Sequence, residues 1–285
     1  MAANVVLQRR KEPLWRKGFV NMLRKENRDW WRTRRWWLHL ILWLLLLNMA
    51  VAAPLWLQNA EVPPSIKLTE EQRQQLIERN SLDNRVQDAL RTFVDMSAIV
   101  VLLGVVIVMQ NSVIDEKQTG TGAWVMSKPV ARSSFILAKL VANGGALILL
   151  AVVVQWILAY IQFSLAKGAA QPIVPYLLSM SLIALNLLFW LTLTLMLGTL
   201  FNNRGMVIAI PLAVLFVMLV ITPRVPALLD FTPLAFITDM PTKRSLVQLA
   251  MSGQPLQTVL PIIVTTVWCV VFVFIAIWRF SREEF

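Results

Sequence analysis

The side chains able to do chemistry are few and scattered. One cysteine, Cys269, sits in the middle of an apolar window, and one histidine, His39, follows Trp36 and Trp37. A lone Cys and a lone His far apart form neither a metal site nor a disulfide within the chain. No G-x-x-x-x-G-K-[ST], H-E-x-x-H or G-x-S-x-G occurs. The chain therefore cannot hold ATP in the Walker manner by itself, and no nucleophile stands beside a base as a hydrolase needs. The polar side chains within apolar stretches are amides and hydroxyls: Asn48, Gln110, Asn111, Asn143, Gln155, Asn186, Thr192 and Thr194. Asp95 and Lys139 stand near the ends of such stretches, not at their centres. An ion-coupled carrier needs an ionisable group at mid-membrane, so that class and a membrane enzyme are disfavoured. Asn48, Asn111 and Asn186 are candidates for lining a path. Hydrogen bonding between neighbouring helices is the favoured reading of such amides.

The segment 114–134, IDEKQTGTGAWVMSKPVARSS, is the most informative polar stretch. It opens with Asp115-Glu116-Lys117, turns through Gly120-Thr121-Gly122, and closes with Lys128-Pro129-Val130-Ala131-Arg132. The glycines and the proline bracket a short helix over 121–127. That helix presents Trp124, Val125 and Met126, with charges at both ends. It suits the groove of a protein partner, and a plain loop with Trp124 resting on the membrane fits the spacing equally well.

The elements that must position this segment are membrane helices. Hydrophobic residues make up 57% of 285 residues, with mean hydropathy +0.63, more than one soluble core of this length can hide. Windows without Asp, Glu, Lys or Arg cover 36–60, 96–114, 140–166, 168–203, 205–223 and 245–278. A spanning helix needs roughly 20 mostly apolar residues. The fold class is thus an all-α integral membrane protein with six spans, at about 37–57, 93–113, 135–163, 176–201, 205–221 and 258–278. External segments are expected at 58–92 and 222–257, with a tail at 279–285. Thr69-Glu-Glu-Gln72 resembles a capping box, and Leu82, Val86, Leu90 and Phe93 line one helical face, which predicts an external helix running into the second span.

Residues 1–36 carry 11 Lys or Arg, with Trp15, Phe19, Met22 and Trp30 at helical spacing. This predicts an amphipathic helix on the inner membrane surface. Its length and polarity before the first apolar run do not fit a cleavable signal peptide. Of the 27 Lys and Arg, 18 fall on the side of the termini and 9 on the other, which puts both termini in the cytoplasm. Trp36, Trp37 and Trp278 mark the inner interface on this reading; Trp56, Trp156 and Tyr160 lie near the outer one. The net charge of +11 is explained by flanking charges that set topology and touch anionic lipid; nucleic acid is not expected as a partner. Ala138, Ala142 and Ala146, with Gly144-Gly145, form a small-residue face suited to close helix packing.

Glu116-x-x-x-Gly120-Thr121, followed by Pro129-Val-x-Arg132 and Phe-Ile-Leu-Ala-Lys139, resembles the hallmark of ABC-2 type permeases, the transmembrane subunits of ABC transporters. Val125 and Met126 stand where that family often has leucines, and Ala138 where it often has glycine. Arg24-Lys-Glu26 with Arg32-Thr-Arg-Arg35, and Phe231-Thr-Pro233, also resemble it. The resemblance implies a non-catalytic permease, working as two six-helix units, as a homodimer or heterodimer, with two copies of a separate ATPase. ATP and Mg would be bound by that ATPase, and this chain would carry no cofactor. Glu116, Gly120, Thr121, Trp124, Pro129 and Arg132 would form the ATPase-coupling element, and the N-terminal helix would touch the same partner. Pro211 and 225–240 would lie near the pathway. Export through a prokaryotic cytoplasmic (inner) membrane is the expected direction, with the substrate left open. The alternative is a membrane scaffold without transport of its own.

Overall fold

A computed structural model describes residues 18–57, 69–79, 81–240 and 243–283. Among these residues the fold is helical, with one isolated β-bridge between Met240 and Lys243 and no strand. Six helices are long and apolar enough to cross a bilayer. A short helix α1, Phe19–Trp31, precedes them. The spans are α2 (Arg35–Trp56), α4 (Leu82–Gln118), α6 (Arg132–Lys167), α7 (Ile173–Leu200), α8 (Arg204–Ile221) and α10 (Leu260–Ser281). Between them lie α3 (Glu70–Arg79), α5 (Thr121–Met126) and α9 (Leu246–Met251).

Helix α7 is the axis of the bundle: 72% of its apolar window is buried, against 11% for α8 at the periphery. Apolar side chains on α8 such as Phe216 and Val217 point outward, as lipid-facing positions do. Helices α4 and α10 flank α7, and α9 packs across its far end, where Ser179 Oγ donates to the Val247 carbonyl at 3.2 Å.

Span limits follow the charge-free windows closely except at α4. The expected 93–113 span is the middle of one 37-residue helix. At 1.5 Å per residue it is about 55 Å long, well beyond a hydrocarbon core of about 30 Å. It begins on a Ser81 cap and continues through Asp115-Glu116-Lys117, because partners elsewhere in the chain neutralise those charges. The expected helix bearing Leu82, Val86, Leu90 and Phe93 does run into the span, as the first part of α4, whereas the capping box opens the separate α3, with Gln72 N donating to Thr69 Oγ1 and Thr69 N donating to Gln72 Oε1.

Helix α1 is amphipathic, but its apolar face meets protein. Met22, Glu26 and Trp30 are buried, and α1 packs on α6, where Lys139 and Asn143 meet Glu26 and Trp30. Trp15 and the residues before it lie outside the described residues. Trp156 is likewise buried in the bundle and is not an interface residue: it meets Phe93 and Tyr176 edge-on or tilted, and the Tyr176 hydroxyl donates to its carbonyl at 2.6 Å. Trp43 on α2 inserts against Gly104 on α4, where an added Cβ would fall 1.9 Å from the indole Cη2. Only glycine admits the ring.

Candidate functional site

Helix α1, the end of α10 and the 114–134 segment share one end of the bundle. There α4 reaches Gln118 and ends at Thr119; Gly120 follows in the left-handed region at φ +70°. Glycine adopts that conformation without steric cost, so the chain reverses at once into α5. Thr121 opens α5, its hydroxyl 2.9 Å from that of Thr119. The expected helix over 121–127 is found at Thr121–Met126. Val125 is buried and anchors α5 to the bundle, whereas Trp124 is 61% exposed. Lys128 Nζ sits 3.4 Å from the centre of the Trp124 ring, a cation–π contact. Pro129 is exposed in the return to α6.

Glu116 and Arg132 face inward, away from the exposed tip. Glu116 accepts from Lys25 Nζ at 2.6 Å and from Lys139 Nζ at 2.9 Å; Lys139 also reaches Glu26 at 3.1 Å. Two cations and two carboxylates from α1, α4 and α6 thus form one neutral cluster, and its Lys139 side chain is only 3% exposed. Lys25 lies outside the spans. Burial works against its charge, but its hydrogen bond to Glu116 and the charges of Glu116, Glu26 and Asp29 prevail, raising its pKa above the usual 10.5. Below the cluster, Trp30 Nε1 donates to Asn143 Oδ1 at 2.8 Å, and Asn143 Nδ2 donates to the Lys139 carbonyl at 2.9 Å.

Arg132 binds the other terminus. Its Nη1 donates to the carbonyls of Ser281 at 2.5 Å and Glu283 at 2.9 Å, capping the open end of α10. Phe135 stacks on Phe280 at 4.7 Å beside it. Lys117 pairs with Glu283 at 2.8 Å and donates to the Thr199 carbonyl at 2.9 Å; Asp115 pairs with Arg204. Three successive charges, 115–117, therefore tie α4 to α8, α1 and α6, and the C-terminus.

The candidate pathway residues do not converge. Asn48 on α2 donates to Gln155 Oε1 at 2.6 Å and accepts from Gln162 at 2.9 Å. Gln155 in turn donates to the Leu150 carbonyl, which a π-helical stretch, Ile148–Val153, leaves open. Asn186 accepts from Trp190 of its own helix at 3.2 Å. Pro211 is buried within α8. Asn111 alone lines a polar cavity, of about 170 Å³, beside the charge cluster with Arg35, Ser112 and Glu116. Three of these four positions are thus accounted for by helix packing.

Sequence reasoning names Lys25, Glu26 and Asn143 without giving them a place in the site, and misses Glu283 altogether. A signal existed for one of them: Glu26 lies one turn from both Met22 and Trp30, putting a carboxylate on the apolar face of α1. Among the described residues no cluster of His, Cys, Asp or Glu could hold a metal ion.

No curated protein matches the chain. The family model described as "ABC-2 family transporter protein" matches residues 20–285, nearly the whole chain, from α1 to the tail. With six apolar helices and the charge-locked hairpin at one end, this multi-pass membrane protein belongs to the ABC-2 family of transporter permeases.

Proposed function

We propose that the chain is the permease of an ATP-driven exporter in a prokaryotic cytoplasmic membrane, with both termini inside and a separate ABC ATPase gripping α5. The observation that carries this reading is the exposed Trp124, set on an anchored six-residue helix at the tip of the long α4. A large aromatic held out on a rigid mount is what a partner's groove requires. The 18 to 9 division of basic residues supports the inward orientation. Two permease units and two ATPases would assemble, with ATP and Mg on the ATPase side.

In this reading the cluster transmits motion. ATP binding closes the ATPase pair and displaces α5. Glu116 is fastened to Lys25 and Lys139, so α4, α1 and α6 move as one body, and Arg132 draws α10 with them. Docking that favours one arrangement of the helices shifts the population between inward-open and outward-open states. The test is Trp124→Ala in the chain co-expressed with a candidate ABC ATPase subunit that co-purifies with the native chain. Trp124 is largely exposed, so stability should change by no more than about 0.5 kcal/mol. Membrane insertion should stay intact while co-purification or transport-coupled ATP hydrolysis falls. Unchanged assembly and turnover would refute the docking role.

A further inference from the structure

At the end of the bundle opposite α1 and the 114–134 segment lies a cavity of about 370 Å³. Its walls come from the far ends of α4, α6 and α7 and from the 239–252 stretch that includes α9. Arg91, Lys167 and Arg244 line it. None of the three makes an ion pair or hydrogen bond to another described residue. The one carboxylate among its described lining is Asp239, whose Oδ1 already accepts from the Ser245 backbone N–H at 2.6 Å. Asp95 is near enough to interact electrostatically with Asp239 and Arg91, a second carboxylate close by. Three cations from three chain segments thus converge on one cavity and outnumber its carboxylate. All three are exposed, with their charged heads free to meet a ligand at the cavity mouth. Gln171 and Gln248 add amide donors, and Leu90 and Phe163 form an apolar wall.

We propose that this cavity is a binding site for an anionic group, a phosphate or carboxylate, with room for an apolar portion against Leu90 and Phe163. Guanidinium and ammonium donors converging from separate segments suit several acceptor oxygens at once. The volume lies within the range of small-molecule sites. In the orientation proposed above it opens to the outside, although binding there requires neither that orientation nor an ATPase.

The test uses the full chain in nanodiscs of zwitterionic phosphatidylcholine, with octyl phosphate, inorganic phosphate and octyltrimethylammonium as titrants in calorimetry. Octyl phosphate should bind saturably, and the cationic amphiphile should not. Losing charge-assisted bonds in R91Q/R244Q should weaken binding about tenfold or more. All three cations are exposed, so none of these substitutions threatens folding, and K167Q should weaken binding in the same direction. If inorganic phosphate binds as tightly as octyl phosphate, the site reads a free anion. If octyl phosphate binds more tightly, it reads an amphiphile's headgroup. Equal affinity for the cationic amphiphile, or octyl phosphate binding unchanged in both variants, would overturn the proposal.

Discussion

The charge cluster should behave as a single unit, and a double-mutant cycle can expose that. Glu116→Gln leaves Lys25, Glu26 and Lys139, a net charge of +1 around an ammonium that is 3% exposed. Lys139→Met leaves Glu26 and Glu116 with Lys25 alone, a net charge of −1. Breaking a buried pair by removing one partner costs about 3–5 kcal/mol. The low end, about 3 kcal/mol each, applies here because Lys25 retains 32% exposure and can turn toward water. The double variant keeps Lys25 and Glu26, which are neutral together and 3.7 Å apart. Its cost should therefore fall short of the sum of the singles by about 1–3 kcal/mol. Equilibrium unfolding in mixed micelles of mild detergent and SDS measures all four corners. Additivity within about 0.5 kcal/mol would mean that the two side chains do not act together. The transmission argued for α4, α1 and α6 would then lose its basis.

Three further expectations follow from the same geometry. The raised pKa of Lys25 means its contribution is complete below the unfolded lysine value of 10.5 and disappears as pH rises through the higher folded value. The stability difference between the native chain and Lys25→Met should thus be flat from neutral pH up to about 10.5 and shrink above it; a difference that grows with pH would refute the assignment. Gly104→Ala drives a methyl into the Trp43 indole, so it should cost about 1–3 kcal/mol of unfolding free energy, and Gly104→Ala with Trp43→Phe should cost less than the two changes summed. Arg132→Gln removes a charged cap from the end of α10 and should cost about 1.5–3 kcal/mol, with increased protease access to the C-terminal tail as a second readout.

The number of spans, the α5 helix and the Thr69 capping box were legible because each rests on local chemistry: apolar length, glycine and proline punctuation, and side-chain reach over three residues. The limits of α4 were not. Asp115, Glu116 and Lys117 look like a loop in isolation, since three adjacent charges stop an apolar pattern. Their helical state depends on Arg204, Lys139 and Glu283, which lie far along the chain. No period of 3.6 residues encodes such partners. The same holds for Arg132, which reads as part of an exposed loop by position but faces the carbonyls of residues 281 and 283.

Trp30 and Trp156 show the other limit. Tryptophan near a span end is expected at the lipid headgroups, where its N–H stays wet. Both residues are instead buried, and for Trp30 the reason is specific: Asn143 on α6 supplies the acceptor that water would otherwise provide. That bond explains why α1 lies on α6 with its charged edge toward Glu116. With the indole fixed by Asn143, Glu26 one turn earlier is brought within 3.1 Å of Lys139, and Lys25 falls beside Glu116. The amphipathic pattern of residues 19–31 thus encodes a docking face for protein. Its one carboxylate among apolar residues is the feature that separates it from a helix meant for lipid, where an unpaired charge on the buried face would have no partner.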